Sequence, residues 1–334
     1  MKQYPDTPIP EALPFRTPAA EDFRVMESFF SLRPNRTCES GVLDTFIWIS
    51  YYNTKFCICD GKALLFLMEN ETETFSALPL CAEEDLPYYF KYLELYFNQI
   101  LHKPLKIYLA DEEGVEALGL KDNPDYYTAE QDDLKDYLYN AEELRTLPGK
   151  RFHKKKNLIS KFLRDYEGRW TYRTLGGDDK EIIQEFLKRW FASRKEAVDE
   201  KGLSAEHEGI AMVLQNYALL SYRVGGIFID GVLEAFSIGT LNPRENMAVV
   251  SIEKANVSFT GLYQLINREF LIREFPGAAL VNREDDVGVP GLRQAKMSYN
   301  PIGYEKKYMV VQRSFPGSPE RYIDYYEEEI RREQ

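Results

Sequence analysis

Apolar positions along the chain follow two periods, which together predict alternating strands and helices. In the first half, the pattern predicts helices at 20–32, 85–101 and 112–119 and strands at 43–50, 55–59, 62–68 and 105–111. In the second half, it predicts helices at 181–197, 209–222, 261–275 and 289–299 and strands at 225–229, 232–241, 248–257, 279–282 and 303–312. Short strands mixed with amphipathic helices are typical of an α+β protein.

Two predicted β-hairpins share a turn and the order of the elements that follow. Asp-Gly dipeptides stand at 60–61 and 230–231, and Asp-Gly favours the type I′ turn that closes a two-residue hairpin. The hairpins continue to Phe66 and Phe236, each six residues after the Asp. A long helix, a buried strand and an acidic turn then follow in both halves. The offset of 170 residues is close to one ordinary domain, so the sequence predicts a tandem duplication.

Composition places the chain among soluble globular proteins. Of its 334 residues, 44% are hydrophobic and 29% are charged, which excludes intrinsic disorder and fibrous repeats. No stretch reaches the ~18 apolar residues of a membrane helix. Residues 1–15 carry acids and prolines where a signal peptide has an apolar core. We therefore expect a two-domain cytoplasmic protein without a transmembrane segment.

Cysteine and histidine usage predicts neither a disulfide framework nor a metal centre. The four cysteines are too few for a disulfide scaffold, and we expect all of them to be reduced and to pack in the interior. They are Cys38, Cys57, Cys59 and Cys81. The three histidines are far apart in the sequence, so no histidine metal site is predicted.

Charge is distributed unevenly, although the net charge of −12 argues against extensive nucleic-acid coating. Residues 111–146 hold twelve acids and three bases, whereas 150–169 hold eight bases and two acids. The basic segment is predicted to be an amphipathic helix. Its cluster of Lys154, Lys155 and Lys156 lies at the N-terminal end, which is unfavourable for the helix dipole and suggests an anionic partner such as phosphate. The alternative is a solvated face paired with the acidic segment.

Three stretches of the sequence carry a family resemblance. They are RFHKKKNLISKFLRDY at 151–166, SIEKA at 251–255 and NREDDVGVPGLRQAKMSYNP at 282–301. They resemble the C-terminal domain of phosphatidylglycerol lysyltransferases, a family of the GNAT acyltransferase superfamily. The resemblance extends from about residue 20 to 312 and implies two GNAT-like folds in tandem, each a mixed, mostly antiparallel sheet flanked by helices. The implied division is an N-terminal lobe at 1–149, a basic linker helix at 150–169 and a C-terminal lobe at 170–334.

The resemblance also implies a reaction class. Relatives move an acyl or aminoacyl group from acyl-CoA or aminoacyl-tRNA to an amine or hydroxyl, and Fem-type aminoacyltransferases are similar in architecture. The expected donor is therefore coenzyme A-bound or tRNA-bound, and tRNA phosphates would meet residues 150–164. The acceptor would be a small molecule, a peptide or a lipid headgroup. The sequence has no transmembrane run that would match the membrane-embedded part of full lysyltransferases, so we expect that the chain need not act on lipid. The alternative is a non-catalytic module that binds a nucleotide-like ligand or a protein.

The start of the helix near residue 261 is the predicted phosphate seat, because helix N-termini present unpaired N–H groups. It comprises Ser258, Phe259, Thr260, Gly261, Leu262 and Tyr263. The superfamily loop reads Gln/Arg-x-x-Gly-x-Gly/Ala, and here only Gly261 is kept, with Phe259 at the middle glycine. This departure weakens the case for coenzyme A and leaves room for aminoacyl-tRNA. Alternatively, Thr260 simply caps the helix.

Glu253 lies on the predicted strand 248–257, where the family often keeps its general base. Strict alternation places it on one face with Val249, Ser251 and Ala255. Burial of a carboxylate beside small residues would favour its role as a base for the incoming amine. The alternative is a structural glutamate held in a salt bridge.

A polar run follows the predicted strand 279–282, where open sheets often carry their sites. Asn282, Arg283 and Glu284 are predicted to bind substrate, with Arg283 holding a carboxylate or phosphate. Asp285 and Asp286 are alternative bases or ligands of an ammonium group. The competing interpretation is that the two aspartates cap the next helix.

The helix at 289–299 supplies the remaining candidates. Arg293 and Lys296 lie three residues apart and are predicted to meet phosphate. Tyr299 stands where many GNAT enzymes keep the tyrosine that protonates the leaving group; the alternative is a core tyrosine. The first half has no glycine-rich turn, so it is expected to be a scaffold or acceptor-binding half, with the active site in the second.

Overall fold

The structure is a computed structural model that describes residues 13–70, 72–193 and 200–315. The helices are α1 Phe23–Phe30, α2 Val42–Ile47, α3 Leu86–Leu95, α4 Glu112–Ala117, α5 Ala141–Thr146, α6 His153–Asp165, α7 Lys180–Ser193, α8 Glu200–Gln215, α9 Leu262–Glu274 and α10 Pro290–Met297. The strands are β1 Lys55–Cys59, β2 Ala63–Glu69, β3 Thr74–Phe75, β4 Lys106–Asp111, β5 Tyr126–Glu130, β6 Asp136–Asn140, β7 Trp170–Leu175, β8 Arg223–Ile229, β9 Val232–Asn242, β10 Met247–Ala255, β11 Leu280–Asn282, β12 Gly303–Glu305 and β13 Lys307–Gln312.

The two halves repeat one strand order. The second half forms a seven-stranded sheet in the order β12-β6-β11-β10-β9-β8-β7. The first half forms the sheets β1-β2-β3 and β4-β13-β5, which a parallel bridge from Ser76 to Ile107 links. The order β1-β2-β3-β4-β13-β5 thus corresponds to β8-β9-β10-β11-β6-β12. The two halves thus share one strand order, as a duplication of one fold would produce.

Each half donates one strand to the other. Strand β6 lies between β11 and β12, and β13 lies between β4 and β5. Strand β6 belongs by sequence to the predicted lobe 1–149, and β13 belongs to 170–334. Backbone hydrogen bonds therefore connect the predicted lobes in both directions, because each half takes the last strand of the other between two strands of its own. The division into three segments stays a prediction about folding units.

Among the described residues, apolar side chains form three large cores and a small fourth cluster around Leu138 and Met247. One lies between the large sheet and helices α1, α2, α7 and α8, and a second lies under α5, α6 and α9. The third fills the first half beneath α3. The predicted cysteine packing is confirmed, since all four thiols are buried and unbridged. Within the described ranges, no helix combines the length and apolarity needed to cross a bilayer.

The hairpins are confirmed, while several other elements differ from prediction. Both Asp-Gly turns have positive φ at their two residues, at 53° and 66° in the first and 50° and 81° in the second, as the type I′ turn requires. The strand expected at 43–50 is instead helix α2. The strand expected at 303–312 divides at Lys306 into β12 and β13, which join different sheets. Strands β5, β6 and β7 were not predicted.

Candidate functional site

The middle strands of the second half part beside Arg283. Strands β10 and β11 run parallel and pair only through Met247–Val249 and Leu280–Asn282. Beyond these residues β10 continues alone on that side to Ala255, and Arg283 spans the opening. Its Nη2 donates to Glu253 Oε1 at 2.9 Å.

A β-bulge decides which way Glu253 points. The pairing of β10 with β9 shifts between Val250 and Ile252, so Ser251 is the extra residue. The predicted shared face of residues 249, 251, 253 and 255 is therefore wrong, because the bulge reverses the alternation after Ser251. Glu253 instead meets α9, where Asn267 Nδ2 donates to its Oε2 at 2.9 Å. Both carboxylate oxygens are thus occupied, which favours the alternative of a salt-bridged glutamate that positions Arg283.

Arg283 contacts Glu253 and the rings of Tyr299 and Tyr139. Its guanidinium carbon lies 4.7 Å from the ring centre of Tyr299 and 5.8 Å from that of Tyr139. Its Nη1 is buried and has no hydrogen-bond partner among the described residues. A guanidinium N–H that is buried without an acceptor costs free energy, so an acceptor oxygen placed beside this nitrogen would be favourable. The predicted role of Arg283 in substrate binding fits this geometry and stays a prediction.

Helix α6 brings Lys155 to the same cluster. Lys155 Nζ lies 4.1 Å from the ring centre of Tyr299 and 2.6 Å from Ser298 Oγ. Burial, together with the like charge of Arg283, lowers the pKa of Lys155 to about 8. Lys154 and Lys156 are exposed and form no ion pair among the described residues. The three lysines predicted to act together therefore separate, since only Lys155 faces the cluster.

Tyr299 is buried beneath two cations. Burial raises the pKa of its hydroxyl above the ordinary value, so the hydroxyl stays protonated at neutral pH. Within the described ranges it makes no hydrogen bond. A retained proton suits a donor, and the role of Tyr299 as an acid stays a prediction. Tyr139 and Asn267 were missed by the sequence analysis, because they lie on β6 and α9, far from the recognised motifs.

Two residues of the polar run are committed to structure. Asn282 is fully buried, and its Nδ2 donates to Asp136 Oδ2 and to the carbonyl of Arg36. Asp286 accepts hydrogen bonds from Tyr137, Arg293 and the N–H of Gly288. Although burial opposes the change, these bonds lower the pKa of Asp286. The geometry therefore does not support Asp286 as a base. The competing interpretation, that the two aspartates cap the next helix, also differs from the structure, because Val289 is the N-cap of α10 and has no side-chain cap. Asp286 instead stabilises the turn before α10.

Glu284 and Asp285 belong to a second, buried set of charges. Burial raises the pKa of both carboxyls. Lys307 lies at the centre of the set, with Nζ 2.8 Å from Asp136 Oδ1, 2.9 Å from Glu39 Oε1 and 3.5 Å from Asp285 Oδ2. Cys38 Sγ lies 3.2 Å from the same nitrogen. Cys38, Asp136 and Asp285 are close enough to share one cation, and the Lys307 ammonium provides that positive charge.

The predicted phosphate seat at 258–263 is covered by helix α6. A Cβ placed on Gly261 would lie 2.3 Å from the Leu158 carbonyl oxygen, which shows how closely the two backbones approach. The N–H of Leu262 donates to the Phe259 carbonyl at 3.1 Å, and the Phe259 ring packs 5.3 Å from that of Tyr166. The seat therefore differs from prediction, because the linker helix closes the turn on the side of Gly261. The N-cap of α9 is Gly261 and not Thr260, and no side-chain capping hydrogen bond is present there among the described residues.

The other predicted phosphate ligands are also engaged within the protein. Arg293 bonds to Asp286 at 2.9 Å and to Asp133 at 2.5 Å. Lys296 donates to the carbonyl of Arg283, and burial lowers its pKa. Both cations therefore stabilise the conformation of the polar run at 282–286, and neither is available to bind a phosphate.

Comparisons with known proteins agree on the fold. The family described as phosphatidylglycerol lysyltransferase, C-terminal, matches residues 32–311. An uncharacterised protein of Mycoplasmoides gallisepticum is 24% identical over 221 residues, which are 66% of this chain and 70% of that protein. A conserved protein of unknown function from Bacteroides thetaiotaomicron has a TM-score of 0.82 at 24% identity, with 90% of this chain and 100% of that one covered. L-PGS from Bacillus licheniformis has a TM-score of 0.63 at 15% identity, with 88% and 93% covered.

Proposed function

The chain belongs to the family of phosphatidylglycerol lysyltransferase C-terminal domains, and we propose from this premise that it transfers an acyl or aminoacyl group at the cluster around Arg283. The family has two GNAT-like folds in tandem, which agrees with the predicted fold class and with the exchanged strands. The reaction class follows the family. The geometry of the second half indicates which residues would perform it.

The observation that carries the proposal is the unsatisfied Nη1 of Arg283. Glu253 fixes the other side of the guanidinium, so this nitrogen has a defined direction. An acyl carbonyl oxygen within reach would satisfy it and would gain negative charge as the acceptor attacks. Hydrogen-bond donors held in place before the reaction stabilise such an oxyanion. Arg283 would therefore bind the transition state more tightly than the substrate.

Lys155 is the group best suited to move the proton. Because the pKa of Lys155 is about 8, a substantial fraction is neutral near that pH and can accept a proton. The acceptor amine or hydroxyl attacks the acyl carbon and loses a proton to Lys155. The bond from the acyl carbon to the donor oxygen or sulfur then breaks, and the proton passes to that leaving atom. Tyr299, beneath the Lys155 ammonium, is the second proton donor in reach of this path.

The covered turn at Gly261 favours aminoacyl-tRNA over acyl-CoA as the donor. A pyrophosphate needs close approach to the backbone, and the Leu158 carbonyl occupies that side. An RNA donor can instead use surface charges, and Lys154, Lys156 and Lys161 are exposed on α6. Arg151 pairs with Glu143, so the acidic segment neutralises one end of this face.

The acceptor is proposed to be an amine or a hydroxyl, and the family description names phosphatidylglycerol. A phosphatidylglycerol headgroup offers hydroxyls, and a small molecule or peptide offers amines. The runner-up function is a binding module without chemistry. The covered turn also favours that alternative, because it removes the usual coenzyme A seat of an active GNAT fold.

A transfer assay tests the proposal. Purified protein is incubated with a radiolabelled aminoacyl-tRNA pool or with acyl-CoAs, and with either phosphatidylglycerol vesicles or a mixture of primary amines. The proposal predicts transfer from aminoacyl-tRNA to at least one acceptor, lost in Lys155→Ala and kept in the matched α6 control Lys161→Arg, which retains the surface charge. Binding of charged tRNA without transfer to any acceptor would favour the binding module.

A further inference from the structure

The first half contains a cavity that the proposed reaction does not use. It has a volume of about 290 Å³ and lies between α2, β2 and β4. That volume is near the lower end of ligand pockets, about 300–1,000 Å³. The cavity belongs to the half expected from sequence to be a scaffold or acceptor-binding half.

Aromatic rings form one continuous wall of this cavity. Consecutive ring centres lie 5.8, 4.9, 6.0 and 5.0 Å apart, and each pair meets edge to face. The rings are those of Trp48, Tyr51, Tyr52, Phe75 and Tyr108. Ring faces carry negative charge and attract cations. The wall therefore offers apolar contact and attraction for a positive group together.

Two carboxylates complete the lining. Asp44 lies on α2 and lines the cavity, and its carboxylate accepts no hydrogen bond within the described part of the chain. Glu39 also lines the cavity, with Oε1 bound by Lys307 at 2.9 Å. Its Oε2 is buried and has no hydrogen-bond partner among the residues that the structure describes. The cavity therefore presents acceptor oxygens that the protein itself leaves unsatisfied.

The charges around Asp44 are unbalanced. Glu39 faces it from the segment before α2, Asp136 from β6, and Glu284 and Asp285 from the turn after β11. Lys307 on β13 is the cation that faces it. Burial and these like charges raise the pKa of Asp44 to about 8. Arg33, which also lines the cavity, is committed to Asp111 at 2.5 Å. A cation in the cavity would relieve this excess of negative charge.

We propose that the cavity binds the ammonium group of an aliphatic amine, with Asp44 and Glu39 holding the ammonium and the carbon chain lying against the aromatic wall. An aromatic wall suits an organic cation, because a metal ion would need oxygen or nitrogen ligands on that side as well. The proposal does not rest on transfer activity. The same site would bind a free alkylamine or the alkylammonium end of a larger substrate.

Calorimetry with n-pentylamine as the probe tests this proposal. We expect n-pentylamine to bind at least about tenfold more tightly than pentan-1-ol or pentanoate. The amine stays protonated below about pH 10, like a lysine side chain. Its affinity is therefore expected to rise with pH up to about 8, because a proton must leave Asp44 first.

Two variants locate the site. Asp44→Asn keeps the shape of the side chain and should weaken amine binding at least about tenfold and abolish its pH dependence. Asp178→Asn, an exposed aspartate at the start of α7, should bind like the wild type. If Asp44→Asn melts early, Glu39→Gln gives the same test from a different element. Equal binding of amine and alcohol, no binding of the amine, or undiminished binding by a folded Asp44→Asn protein each overturns the proposal.

Discussion

The carboxylate of Asp136 and the ammonium of Lys307 lie 2.8 Å apart, and both side chains are fully buried. Asp136 begins β6 and Lys307 begins β13, the two strands that the halves exchange. The pair therefore joins corresponding positions of the two copies, at the point where their chains cross. Because each residue begins one of the exchanged strands, this buried ion pair links the two strands to each other.

Removing one partner of this pair should be costly. Asp136→Asn leaves Lys307 buried with less negative charge around it, and breaking a buried pair typically costs about 3–5 kcal/mol. Glu39 and Asp285 remain, so we expect a loss near the lower value, measured by urea unfolding. Arg169→Ala, which breaks the half-exposed pair with Asp230, should cost less than about 1 kcal/mol. Equal losses in the two variants would contradict a structural role for the exchange pair.

Asp44 should make stability depend on pH. The pKa of Asp44 is raised to about 8 in the folded protein, against about 3.9 when unfolded. Protonation therefore favours the folded state, and the stability it contributes is lost as pH rises through about 8. Asp44→Asn removes this loss, so its melting temperature relative to wild type should increase between pH 5 and pH 8.5. A difference that stays constant across this range would show that Asp44 is not perturbed.

Transfer activity should rise with pH through the pKa of Lys155. The neutral amine is the active form, so the rate is expected to be low below pH 7 and to level off above a midpoint of about 8. Lys155→Arg carries a permanent positive charge and should remove this rise together with most of the activity. The matched variant Lys161→Arg should keep the wild-type profile. The readout is the pH dependence of the initial rate with saturating donor.

Gly261→Ala tests the closure of the turn by α6. Gly261 has a φ of 93°, and an added Cβ would meet the Leu158 carbonyl at 2.3 Å. We expect a loss of more than about 1 kcal/mol, from backbone strain and displacement of α6. Gly291→Ala, in α10 with open space around it, should be neutral or slightly stabilising. A neutral Gly261→Ala variant would mean that α6 does not cover the turn in solution.

Much of the fold was predictable because its signals are local. The Asp-Gly turns at 60–61 and 230–231 specify hairpins by backbone conformation alone, and their spacing indicated the duplication. The exchange of β6 and β13 was not predictable, because it depends on pairing between residues far apart in sequence. Helix α2 was misread as a strand, since the apolar run at 43–50 is short and bounded like one.

The candidate site was predicted in part. Glu253, Arg283, Tyr299 and Lys155 were all named from sequence, and the structure brings them together. Their roles were harder to assign, because the bulge at Ser251 adds one residue and reverses the alternation on which the face of Glu253 was predicted. The covering of Gly261 by α6 is a tertiary contact that no local pattern shows. The first-half cavity was not predictable from the sequence, because its aromatic residues are spread over 48–108.

Arg283→Lys is the most direct test of the reaction centre. Lysine retains a positive charge that can reach Glu253, but it lacks the second guanidinium nitrogen that we propose binds the reacting carbonyl. The measurement is kcat/KM for transfer from aminoacyl-tRNA, with the melting temperature as the control for folding. We predict a loss of about 10²–10³-fold, the usual cost of removing one oxyanion donor, with the fold intact. A folded Arg283→Lys protein that transfers at the wild-type rate would contradict the assignment of Arg283 as the group that binds the reacting carbonyl.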